Sequence, residues 1–76
     1  MIRYVREAIM HYVNYPNEYN LAHMLGVIKD TEADVQVYMQ GEVPYLYIGI
    51  GFHFYTISLS MDAYEILKEA LYVRSE

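Results

Sequence analysis

The sequence predicts an α+β fold: a small two-layer domain, a three-stranded antiparallel meander with an N-terminal helix, a short second helix and a C-terminal helix on one face. Two observations lead there. Apolar residues recur every three or four positions as far as Ile28, every second position from Asp34, and every three or four again after Ser60. The stretch from Val43 to Met61 carries no formal charge, yet it holds Tyr45, Tyr47, Tyr55, Phe52 and Phe54. In a 76-residue chain, such a stretch must be core, interface or both.

Ile2, Val5, Ile9, Tyr12 and Val13 form the apolar stripe of the first helix, with Arg3, Arg6 and Glu7 largely on the other side. Asn14-Tyr15-Pro16-Asn17 ends it, because the residue before a proline is pushed out of helical angles. The second helix starts after Asn17 or Asn20, both good N-caps, and buries Leu21, Met24, Leu25 and Ile28. Gly26 is its expected stop, so that Gly26–Thr31 is open to a short strand instead.

From Asp34 the period is two. Val35, Val37 and Met39 face one way, and Gln36, Tyr38 and Gln40 the other. Gly41-Glu42 is a turn. Leu46, Ile48 and Ile50 then oppose Tyr45, Tyr47 and Gly49; after a phase flip at Gly51-Phe52-His53, Tyr55, Ile57 and Leu59 oppose Phe54, Thr56 and Ser58. Such a flip marks a turn or bulge. Ser60 caps the last helix, with Asp62 in its first turn. Its buried stripe is Ala63, Ile66, Leu67, Ala70 and Leu71, extended by Tyr64 or Val73. Glu65 and Lys68 are spaced for an exposed pair, and Arg74 stands near the end where a cation is favoured.

A chain of this length reads as one domain, residues 1–76, and, starting at Met1, as a complete gene product. So small a domain has a thin stability margin and usually adds disulfides, a metal or self-association to its core. With no cysteine, disulfides and thiolate metal sites drop out, a reducing cytoplasm is compatible, and self-association is the expected supplement. No signal peptide is expected, since Glu7 and His11 interrupt any apolar run near the start. Pro44, the glycines and His53 argue against a membrane span in the uncharged stretch. The net charge is −5, and residues 18–42 hold half of the ten acids against Lys29 alone. Direct nucleic-acid binding and anionic membrane surfaces are disfavoured, because both need a stock of Lys and Arg.

If the helices cover the face of Val35, Val37, Met39, Leu46, Ile48, Ile50, Ile57 and Leu59, the other sheet face is left uncharged and ring-rich. Tyr38, Tyr45, Tyr47 and Phe54 are its candidate contact residues, as interfaces are rich in such rings and poor in Lys, Glu and Asp at their centre. High strand propensity of tyrosine and threonine would account for one or two of these rings without any contact role. Asp30, Glu32 and Asp34, if extended, would line up at roughly 6.5–7 Å intervals, with Glu18 and Glu42 adding to the field. The row could enter a basic groove of a partner, or be a solvated loop leading into a strand.

His11, His23 and His53 lack metal-site spacing, Gly49-Ile50-Gly51 lacks the helix and lysine of a phosphate loop, and Ser58 and Ser60 read as strand end and helix cap. No catalytic residue, cofactor or metal is expected. In composition (tiny, acidic, cysteine-free, tyrosine-rich) the chain resembles small virus-encoded proteins that block a host enzyme. The expectation is a non-enzymatic, homodimeric, cytoplasmic protein–protein interaction module: an acidic inhibitor that occupies a basic surface of a nucleic-acid-handling or defence enzyme. The competing expectations are a structural subunit of a larger oligomer and a small ligand-binding protein or enzyme with its site between subunits.

Overall fold

The computed structural model describes residues 2–72, apart from the side chains of Ile2 and Tyr72. The expected parts of Ile2, Val73 and Arg74 lie outside the described residues. The chain is α+β, with α1 (Ile2–Asn14), α2 (Glu18–Asp30), β1 (Asp34–Gln40), β2 (Val43–Ile50), β3 (His53–Ser58) and α3 (Met61–Tyr72). Its contacts divide it into two compact units, Met1–Ala33 and Asp34–Glu76.

In the first unit, α1 and α2 pack against each other. Val5, Ala8, Ile9 and Tyr12 are the buried side of α1. Val13, expected in that stripe, is exposed, because each helical residue turns about 100° and Val13 has rotated past the stripe that Tyr12 still occupies. The join is built by two asparagines. The Tyr15 N–H closes α1 on the His11 carbonyl at 2.9 Å. Asn17, the N-cap of α2, accepts the Asn20 N–H at 2.8 Å, while the Asn20 side-chain amide donates to the Tyr15 carbonyl at 2.9 Å. One residue thus belongs to the cap of one helix and ties down the end of the other.

The second helix is not short. It has 13 residues, as many as α1, and runs through Gly26, which is neither its stop nor the start of a strand. Glycine interrupts a helix at a cost of about 1 kcal/mol relative to alanine, which the buried Leu21, Met24 and Ile28 on one face outweigh. The helix ends at Thr31, whose N–H and hydroxyl both donate to the Ile28 carbonyl. Glu32 follows with φ of 57°, the left-handed position after a helix that glycine usually fills.

The second unit holds the sheet, in the order β1-β2-β3, and α3. Both hairpins have two-residue loops, Gly41-Glu42 between the paired Gln40 and Val43, and Gly51-Phe52 between the paired Ile50 and His53. Gly41 has φ of 64° and Gly51 of 59°, and in each loop only the first residue is left-handed. That is the type II′ pattern, whose twist suits antiparallel strands. The phase flip is therefore a turn, with no bulge in the register.

Directly paired residues share a face, so Val35, Val37, Leu46, Ile48, Ile50, Tyr55 and Ile57 lie together on the inner one. Val37, Leu46 and Ile48 are buried there, and α3 contacts the strands that carry them, β1 and β2. Met39, expected to be covered, is exposed at the Gly41 end of the sheet. The Leu59 N–H donates to the Pro44 carbonyl at 2.9 Å, extending the ladder to the edge of α3. Ser60 then caps α3, its hydroxyl oxygen accepting the Ala63 N–H at 3.1 Å. Ala63 and Leu67 are the buried side of α3, and Ile66, expected beside them, is exposed. Lys68 reaches Glu65 at 3.6 Å and lies 5.1 Å from the centre of the Tyr64 ring.

Candidate interaction surface

The register places Tyr38, Tyr45, Tyr47 and Phe54 on one face, opposite the buried one. Across the strands this face reads Tyr38, Tyr45, Ser58 in one row; Gln36, Tyr47, Thr56 in the next; and Asp34, Gly49, Phe54 in the third. Tyr38 and Tyr45 are direct partners, their rings stacked with centres 5.7 Å apart. Tyr47 and Phe54 lie on a diagonal, 6.1 Å apart and again nearly parallel.

Gly49 makes the second stack possible. A Cβ at this position would stand 2.9 Å from the Tyr47 hydroxyl oxygen and 3.3 Å from its ring Cζ. With only hydrogen there, the Tyr47 ring leans over Gly49 toward Phe54. The result is two ring pairs in a face whose other members are short or uncharged, apart from Asp34 at one corner. That carboxylate belongs to the face rather than to a separate acidic row, which alternation alone already implied.

Phe54 is 64% exposed and Tyr38 37%, while Tyr45 and Tyr47 are half-buried by their neighbours. Phe52 is 95% exposed at the tip of the Gly51 turn, next to the Phe54 end of the face. Sequence reasoning placed Phe52 only in the phase flip; the glycine before it was the signal for a two-residue turn with this ring at its tip.

The acidic residues do not form the row that an extended segment would give. Asp30 is the last residue of α2, Glu32 sits in the left-handed turn and Asp34 opens β1, so the segment is not extended. A helix end and a turn rotate successive side chains out of the one-sided alignment that a strand would impose. Glu18 lies in the first turn of α2, where its charge suits the helix dipole, and Glu42 is in the β1–β2 turn. Asp30 and Glu32 are at the C-terminal end of α2, where a negative charge is disfavoured.

His11, His23 and His53 are all exposed. Among the described residues, no three His, Asp or Glu side chains come together as a metal-holding group, and no helix is long and apolar enough to cross a membrane. Tyr12, buried in the first unit, has its hydroxyl pKa pushed above 10.0 by burial. Compared with protein-family models, curated proteins and solved structures, the chain matches none.

Proposed function

We propose that this protein is a non-enzymatic protein–protein interaction module of the cytoplasm, homodimeric, whose outer sheet face is its contact surface. The observation that carries the reading is the pair of ring stacks, Tyr38–Tyr45 and Tyr47–Phe54, each with one exposed and one half-buried ring, on a face with a single corner charge. Stacked aromatics of this kind bring large contact area with little side-chain entropy left to lose, which suits the centre of an interface. Their arrangement is preformed, so a partner need not order them.

The partner we infer is a protein with a basic surface, as on a nucleic-acid-handling or defence enzyme, which this chain occupies as a virus-type inhibitor. The net charge of −5 favours such an encounter. Asp30 and Glu32 support it from another direction. Both place negative charge where the helix dipole opposes it, and Glu32 does so in a left-handed backbone, so neither serves the fold.

Affinity capture from the native host with three forms of the protein tests this. The wild type and Tyr19→Lys, altered at an exposed ring of α2 that is not part of the sheet, should retain one stoichiometric basic partner. Phe54→Lys should lose it. Retention by Phe54→Lys at undiminished yield would refute the face as the contact surface.

A further inference from the structure

The third strand ends the sheet, and its free edge has a specific layout. The Leu59–Pro44 hydrogen bond shows which backbone groups of this chain segment turn toward β2. Residues alternate, so His53, Tyr55 and Ile57 also bond inward, opposite Ile50, Ile48 and Leu46. The N–H and C=O groups of Phe54, Thr56 and Ser58 therefore point away from the sheet, and among the described residues nothing pairs with them. All three side chains are exposed.

Natural edge strands are usually guarded by a lysine, a proline, a bulge or an inward-pointing charge. β3 has none: its sequence His53-Phe54-Tyr55-Thr56-Ile57-Ser58 contains no Lys, Arg, Asp, Glu or Pro, and its register is unbroken. β1, the other edge, begins with Asp34, and its Val37 already has an interaction partner.

We propose that the β3 edge is a self-pairing site whose occupant is a second copy of this chain, added antiparallel about a two-fold axis at Thr56. Symmetry narrows the register to this one. For both copies to keep their ring-bearing faces on the same side, a residue must lie opposite itself, and only Thr56 in that place sets each of the three outward residues against another of the three. Centring on Thr56 sets Thr56 against Thr56 and Phe54 against Ser58 in both directions, so every outward N–H and C=O of the strand gains a partner. Centring on Tyr55 or Ile57 sets Ser58 or Phe54 against a residue outside the strand, and centring on Phe54 or Ser58 leaves more of the set unpaired. The strand is uncharged, so no like charges meet, and a facing threonine pair is itself favourable.

The pairing deepens the homodimer of the proposed function and has a consequence for its contact face. Two three-stranded sheets become one continuous sheet. Phe54 of one copy falls in the row of Ser58, Tyr45 and Tyr38 of the other, so the two ring-bearing faces join into a single surface.

Amide hydrogen exchange of the wild-type protein, combined with sedimentation, tests the inference. The dimer should show Phe54, Thr56 and Ser58 amides protected well above their rates in the monomer obtained by dilution. Thr56→Pro removes one outward N–H while sparing the ladder to β2, and should sediment at 9.0 kDa where the wild type sediments at twice that mass. Thr56→Lys and Thr56→Glu should each be monomeric alone and dimerise when mixed, because the two positions face each other. A wild type that stays at 9.0 kDa at every concentration overturns the proposal, as does a dimer in which those three amides exchange freely. Neither result depends on partner capture by the ring-bearing face, which Tyr38→Lys, altered on β1 and not at the paired edge, reports separately. If the Thr56 variants fail to fold, the exchange pattern of the wild type decides alone.

Discussion

Replacing Glu32 by glycine should make this protein more stable, although it removes a charged side chain and adds no contact. Glu32 sits just past the end of α2 with φ of 57°. There the Cβ of an L-residue crowds the following carbonyl oxygen, which costs about 1–2 kcal/mol. Glycine is free of that cost but has more freedom to lose on folding, which returns about 0.5–1 kcal/mol to the unfolded chain. The net gain is about 0.5–1 kcal/mol. For a domain of this size that is a rise in Tm of about 3–6 °C, or an upward shift of the urea midpoint by about 0.5–1 M. Glu32→Ala is the needed comparison. It also removes a negative charge from the C-terminal end of the helix, worth a few tenths of a kcal/mol, but keeps the Cβ and hence the strain. Urea unfolding of the three proteins at one fixed concentration separates the two effects, a fixed concentration being needed because any self-association of the folded chain would add to apparent stability. Should Glu32→Gly prove no more stable than Glu32→Ala, the strain reasoning fails. The same two variants bear on function: both should slow association with a basic partner alike, since both lose the same charge.

Further outcomes follow from the other unusual positions. Gly26→Ala should stabilise the protein by about 0.5–1 kcal/mol in urea unfolding, since nothing beyond its own turns of helix lies within 4 Å of the added methyl and the helix already runs through this residue. Gly49→Ala should change stability by less than about 1 kcal/mol, because the atoms in the way are the far end of a mobile ring, yet it should abolish the NMR contacts between the Tyr47 and Phe54 rings. Burial holds the Tyr12 hydroxyl protonated in the folded state beyond its unfolded pKa of 10.0, so its contribution is complete below pH 10.0 and is lost as pH rises through the higher folded value. Tyr12→Phe, compared with wild type by urea midpoints across that alkaline range, should show a shallower loss of stability; equal slopes would contradict it.

Alternation along the chain made the sheet legible. With Val35 and Val37 in one phase and Leu46 and Ile48 in the next, any slip by one residue would have turned this apolar set to the wrong face, and the register honours it. The rings of the candidate surface were legible for the same reason, being the remainder once the inner set was assigned. Less legible was the region from Gly26 to Asp34. A mid-helix glycine and a left-handed glutamate both break local preference, so the local signals pointed to a shorter helix and left an extended acidic row open beside a solvated loop. Val13, Met39 and Ile66 show a similar lesson, since hydrophobic periodicity names a stripe without fixing its width.

By itself the sequence determined the kinds of element, the turn at Gly41-Glu42, the change of phase near Gly51 and the sorting of strand residues into two faces, because each rests on a period or a backbone angle carried by neighbouring residues. Tertiary structure alone decided that α2 continues past Gly26, where packing of Leu21, Met24 and Ile28 outweighs a weak local preference. It also decided that Tyr47 leans across Gly49 onto Phe54. Both features depend on contacts between side chains that folding brings together, which a local pattern does not encode.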